Sequence, residues 1–190
     1  MSKVNKMVLV SMFAVLTCIG AFIKIQFPLI PVPFTLQIFF VILSGLLLGS
    51  KLGLLSQLVY IAIGLAGFPV FTGGGGPSYI FKPSFGYILG FAVAAFITGK
   101  IREFFDSRGI TITKLFISSF AGIIGCYTLG VAYLILHTKF ISGASVDVAG
   151  LLVSGFLVFL PWDIIKIAIA SWVSNEVMKR IGDFKLQEES

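Results

Sequence analysis

Of 190 residues, 57% are hydrophobic and only 12% charged, against roughly one quarter charged in soluble domains. That composition, with a mean hydropathy of +1.05, predicts a single polytopic membrane domain over 1–190 and excludes a soluble catalytic or ATP-hydrolysing domain. The net charge of +6 does not point to nucleic acid, because the basic residues are scattered over loops with no dense patch.

Against a span of about 20 residues, the apolar runs predict an all-α protein with six transmembrane helices near 7–25, 34–50, 52–66, 84–100, 114–137 and 161–181. Lys3 and Lys6 ahead of the first run imitate a secretory leader. No small-x-small cleavage site follows, so the run is read as a span. VLTC at Cys18 fits a lipoprotein site poorly, and Cys18 and Cys126 both read as small buried thiols. Ser11, Ala14, Cys18 and Ala21 recur at intervals of 3, 4 and 3 and give the first helix one narrow face. Such a face suits close approach, whether to a neighbour in the bundle or to a partner.

The segment KIQFPLIPVPFTLQ follows, with Pro28, Pro31 and Pro33 stiffening an extended stretch before the second span. Thr35 either caps that helix or offers its hydroxyl to a ligand. Gln37 either bonds a neighbouring carbonyl or offers its amide. Between the third and fourth spans, GLAGFPVFTGGGGPSYIFKPSFGY places Gly73, Gly74, Gly75 and Gly76 among Phe68, Phe71, Tyr79 and Phe81. A mere linker would be polar rather than aromatic, so this reads as a backbone lid over a pocket. Pro77 and Ser78 follow the glycines where a phosphate loop would need lysine, so no such loop exists here. His137, at the end of the fifth span, reads as interfacial.

The run 148–160 precedes Pro161, which suits the first turn of a helix rather than its middle. It is therefore expected as a separate short helix dipping into the membrane. Asp163 and Lys166 follow, the only acid and base between Val148 and Trp172, and their spacing puts them on one helix face. Ionisable side chains inside a membrane are costly and usually face a cavity, so this pair is the predicted ligand site. A structural ion pair is the alternative. An enzyme using Asp163 as acid or base is a further one, but no nucleophile, histidine or metal cluster accompanies the pair. No catalytic or metal-ligating residue is assigned.

Basic residues near span ends favour the cytoplasmic side. Lys3, Lys6, Lys51, Lys100, Arg102, Arg108, Lys114, Lys179, Arg180 and Lys185 share one side, against Lys24, Lys82 and Lys139 on the other. Both termini are expected to be cytoplasmic, with the Asp163 end facing outward.

PVPFTLQ, GFPVFTGGGGPSYIFKPSFGYILGF and PWDIIK resemble, in that order, signature regions of the BioY family, the biotin-binding S-components of energy-coupling factor transporters. The resemblance implies a six-helix S-component bundle in the cell membrane and an outward pocket covered by the first and third loops. It also implies biotin as ligand, no cofactor, and partnership with a transmembrane coupling subunit and two ABC-type ATPases. Asp163 and Lys166 match the family's acid and lysine at the biotin headgroup, and a carboxylate and an ammonium suit the donors and acceptor of a ureido ring. Lys82 and Tyr87 lie on the matching third-loop and fourth-span segment, where Lys82 would neutralise the biotin carboxylate. The narrow face of the first helix stands for the family's Ala-x-x-x-Ala coupling contact, with Cys18 in place of an alanine. FKPSFGY departs from the GPTGGY-like wording of many members. Scaffold alone does not fix substrate, so an S-component for another vitamin stays open.

Overall fold

The computed structural model describes residues 2–27, 30–106 and 109–188, with side chains through Arg180. Pro28, Arg108 and the Lys185 side chain lie outside that description. Helix α1 (Lys3–Phe22) is started by Ser2, whose hydroxyl accepts from Asn5 N. It buries Val10, Phe13, Ala14, Thr17, Gly20 and Ala21 and exposes Val4, Met7, Val8, Val15 and Phe22. A helix that exposes so many large apolar residues on its outer face is one that faces lipid. The same holds for the last helix, where Ile164, Ile165, Ile169 and Trp172 are exposed. The chain is a membrane protein.

The first departure from the expected spans follows at once. The chain leaves α1 at Ile23 and forms an antiparallel pair of two-residue strands, β1 (Lys24–Ile25) and β2 (Phe34–Thr35), so neither end of this pair belongs to a transmembrane helix. The chain bends at Pro31 and Val32 before Phe34, and Leu36 N then donates to Gly20 O and Ile23 O, returning the chain onto the end of α1. Helix α2 (Gln37–Leu48) starts only there.

Helix α3 (Ser50–Leu65) folds back on α2 through Gly49, whose φ of 83° falls in the region that favours glycine. The turn is held by Glu103, which accepts from Ser50 N at 2.7 Å and from Ser50 Oγ at 2.9 Å and so satisfies the first orphan amide of α3. The two helices are short, about 18 and 24 Å at 1.5 Å per residue. Among the described residues, three helical runs have the length and apolar character to cross a membrane: Lys3–Phe22, Ile112–Phe140 and Val148–Arg180.

After a single 3₁₀ turn, Pro77–Phe81, come helices α4 (Phe85–Asp106) and α5 (Ile112–Phe140). Both run past the predicted ends, because their last turns are polar and lie beyond the apolar run. Small residues bring the two together: a Cβ on Gly90 would sit 2.7 Å from Cys126 O, and one on Gly130 would sit 2.4 Å from the Tyr87 ring. The segment expected ahead of the last span is present as α6 (Val148–Leu152), started by Asp147, followed by a π turn at Val153–Leu157. Two turn residues lead into α7 (Leu160–Glu188). Pro161 has no N–H to give Leu157 O, which is one reason the helix cannot continue regularly through this point.

Candidate functional site

Asp163 and Lys166 lie in the first turns of α7 and face the bundle. Asp163 is only 6% exposed, and Lys166 Nζ donates to its Oδ1 at 2.8 Å. Two further elements hold the pair. From α5, the Tyr127 hydroxyl donates to Asp163 Oδ2 at 2.5 Å. From β2, the Thr35 carbonyl accepts from Lys166 Nζ at 2.7 Å. A carboxylate has about four lone-pair positions and an ammonium three protons. The pair therefore keeps room to accept from a ligand N–H and to donate to a ligand carbonyl.

A cavity of about 50 Å³ opens beside it, lined among others by Tyr87, Phe91, Cys126, Tyr127 and Phe159. A second, of about 30 Å³, continues past Gln37, Thr72, Ser84 and Ile88. The two share Val32, Pro33, Thr35, Tyr87 and Phe91. Outside them lies an open pocket of about 280 Å³ holding Gln26, Thr72, Gly73, Tyr79, Lys82 and Ser84. A separate apolar groove of about 280 Å³ runs on the other side of Thr35 and Lys166, between Ile23–Phe27 and Trp162.

The remaining predicted residues divide between lining and scaffolding. Lys82 stands in the outer pocket, with its side chain exposed. Tyr79 is there too, its hydroxyl within 2.9 Å of Thr72 Oγ1 and 3.3 Å of Ser84 Oγ. Tyr87 lines both inner cavities with its ring, while its hydroxyl donates to Gly155 O at 2.8 Å. That carbonyl would accept from Phe159 N in a regular helix, but Phe159 N bonds to Phe156 O, so Tyr87 satisfies a group freed by the irregular turn. Thr35 Oγ1 accepts from Gln37 N at 3.3 Å. Gln37 does not bond a carbonyl as one reading had it: its Nε2 donates to the Tyr60 hydroxyl at 2.6 Å, joining α2 to α3.

Of the four glycines, Gly73 borders the outer pocket. The others are fastened rather than loose. Phe71 and Gly74 exchange backbone bonds, Gly76 N donates to Gly64 O at 2.8 Å, and a Cβ on Gly75 would sit 2.0 Å from Phe68 O. Phe71, 2% exposed, anchors the loop against Tyr60 and Tyr79. Lys24 Nζ also donates to Thr72 O, tying this loop to β1. His137 Nε2 lies 2.9 Å from Phe81 O, so it fastens the end of α5 to the 3₁₀ turn.

On α1 the narrow stripe is divided. Ala14 and Ala21, each 1% exposed, pack inside the bundle, whereas Ser11 is exposed and Cys18 half-buried. Packing within the chain therefore accounts for both alanines. Sequence reasoning missed Tyr127, Thr72, Ser84 and Val32. A tyrosine inside an apolar span was a usable signal for the first, because a buried hydroxyl seeks a partner, but its partner lies 36 positions away. Among the described residues no group of three or more His, Cys, Asp or Glu is placed to hold a metal.

This arrangement is that of an S-component, the membrane-embedded subunit type of energy-coupling factor transporters. A crystal structure described as the S-component for biotin from an ECF-type ABC transporter overlays with a TM-score of 0.81 at 26% identity, covering 94% of this chain and 95% of that one. A model of the BioY family matches residues 1–183, and the chain belongs to that family. A protein of Lysinibacillus sphaericus named "Probable biotin transporter BioY" is 51% identical over 128 residues, which are 67% of this chain and 63% of that protein. The "Biotin transporter BioY" of Thermotoga maritima is 34% identical over 176 residues, 92% of this chain and 96% of that one.

Proposed function

We propose that this chain is the biotin-binding subunit of a vitamin-uptake system. The observation that carries the reading is the nearly buried Asp163–Lys166 pair, with hydrogen-bonding capacity to spare, at the inner end of a row of cavities whose outer end holds Lys82. A ureido ring presents two N–H donors and one carbonyl, so Asp163 accepts from the ring and Lys166 donates to it. The apolar and aromatic walls at Phe91, Phe159 and Tyr87 receive the rest of the bicycle, and Lys82 meets the carboxylate of the tail. Thr35, Gln37, Tyr79 and the glycines 73–76 shape or cover this path.

The role is binding and release, without covalent chemistry. Energy comes from a transmembrane coupling subunit and two ABC-type ATPases, which engage the outer face of α1 around Ser11 and Cys18. The Asp163 end faces outward and both termini are cytoplasmic, as the distribution of lysine and arginine favours. Calorimetric titration of the purified chain with biotin, thiamine and riboflavin tests the reading. Heat with biotin alone, without nucleotide, is the expected outcome. Folded protein that gives neither heat nor thermal stabilisation with excess biotin overturns it.

A further inference from the structure

Among the described residues, three side-chain polar atoms are enclosed in the bundle with no hydrogen-bond partner in the protein: Thr98 Oγ1 and Arg102 Nε on α4, and Ser174 Oγ on α7. Thr98 and Ser174 are both 0% exposed. A buried hydroxyl left alone carries its whole desolvation cost, so proteins leave few of them unpaired. The three also stand together. Helices α4 and α7 run side by side in the same sense, since Tyr87 and Asp163 share a cavity near their starts and Arg102 Nη2 meets Met178 Sδ at 3.5 Å near their ends. Thr98 lies one turn before Arg102, and Ser174 one turn before Met178, so the two hydroxyls stand at one level. A single turn of α5 touches both sides of the gap. A Cβ on Gly122 would sit 2.0 Å from Thr98 Oγ1, and Ser119 Oγ lies 3.2 Å from Ser171 Oγ, on the turn of α7 that leads to Ser174. Arginine and methionine are long enough to meet across the gap, whereas the threonine and serine one turn earlier do not reach each other.

We propose that a buried water molecule sits between α4 and α7, accepting from Arg102 Nε and bridging the hydroxyls of Thr98 and Ser174. Water suits the site because it needs about two to four polar partners and can accept and donate at once. The guanidinium opposes a cation. An anion is not needed to balance it, because Asp106 Oδ1 already lies 3.9 Å from Arg102 Nη2. The site is distinct from the Asp163–Lys166 pair: Ile167 and Ala170, both fully buried, occupy the inward face of α7 between Lys166 and Ser171. It therefore does not rest on which ligand the pair takes. The water gives the half of α7 beyond Ile167 a hydrogen-bonded seat on α4, where Arg102 and Met178 supply a weak N–H···S contact.

Thermal unfolding in detergent of the wild type, Thr98→Val, Ser174→Ala and the double variant provides the test. Valine keeps the shape of threonine and removes its hydroxyl. With water in place, each single replacement breaks a bond and should lower the unfolding midpoint by about 2–4 °C. The double variant should lose less than the sum, because two hydroxyls that do not touch are coupled through whatever bridges them. A midpoint that rises or stays unchanged in the single variants means that bare hydroxyls were removed, and overturns the proposal; additive losses overturn the bridge. A second readout needs no variant: water-to-methyl Overhauser spectra of wild-type protein carrying labelled threonine methyls. Bound water should give a cross-peak at Thr98 and none at the equally buried Thr17, whose hydroxyl bonds to Phe13 O and Gln57 Oε1. A silent Thr98 methyl overturns the proposal. So does a wild-type midpoint that moves when chloride is exchanged for gluconate at constant ionic strength, which would assign the site to an anion.

Discussion

Replacing Tyr127 by phenylalanine removes one oxygen and leaves the ring packing against Phe156, with centroids 4.8 Å apart, and against Tyr87 at 6.3 Å. What disappears is the bond to Asp163 Oδ2. Because the carboxylate is 6% exposed, water does not readily take over that position. A hydrogen bond to a charged group contributes about 1.5–3 kcal/mol. At about 2–4 °C per kcal/mol for a chain of this size, a loss of about 2 kcal/mol lowers the unfolding midpoint by about 4–8 °C. A double-mutant cycle isolates the contact: thermal or denaturant unfolding in detergent is measured for the wild type, Tyr127→Phe, Asp163→Ala and the double variant. The expected coupling is about 1.5–3 kcal/mol, so the tyrosine hydroxyl should contribute almost nothing once Asp163 is gone. Additivity within about 0.5 kcal/mol refutes the idea that Tyr127 positions Asp163.

Asp163→Asn and Lys166→Met should each weaken biotin by about 100-fold, the consequence of leaving a buried partner and a ligand group unpaired. The uncharged-tail derivative biotinamide should weaken by similar factors, and Lys82→Met should penalise biotin more than biotinamide. A Lys166→Met loss confined to free biotin would move the carboxylate from Lys82 to Lys166. On α1, Ser11→Trp and Cys18→Trp should reduce uptake by the assembled transporter while sparing biotin binding to the isolated chain. Ala14→Trp, at a position 1% exposed, should instead lower the yield of folded protein, as size-exclusion profiles would reveal.

The pair at 163 and 166 was legible in the sequence because charge inside an apolar helix is conspicuous and helical spacing fixes which side chains share a face. The membrane character and the order of the helices were legible for a related reason, since apolar length is a strong signal. Boundaries were not. The pairing of Lys24–Ile25 with Phe34–Thr35 involves strands too short to carry any alternation, and hydropathy absorbed Phe34 into the helix that follows. The polar last turns of α4 and the extended ends of α5 were cut off by the same reading. Tyr127 escaped because its importance comes from a contact across two helices. Val32 escaped because a valine among prolines has no chemistry to advertise, and only its burial beside the two inner cavities gives it away. The stripe on α1 misled in the opposite direction: small residues mark close approach, but spacing does not say to which neighbour.

The irregular turn between α6 and α7 also changes how the start of α7 is coupled to the helix before it. A regular helix from Val148 onward would be a stiff shaft, and any twist at its exposed end would arrive undiminished at Asp163. Here the shaft is interrupted by a five-residue bond, Val158 N to Val153 O, followed by a three-residue one, Phe159 N to Phe156 O. Such a joint absorbs rotation. Tyr87 grips it at Gly155, so the wall on α4 and the beginning of α7 are keyed to the same point.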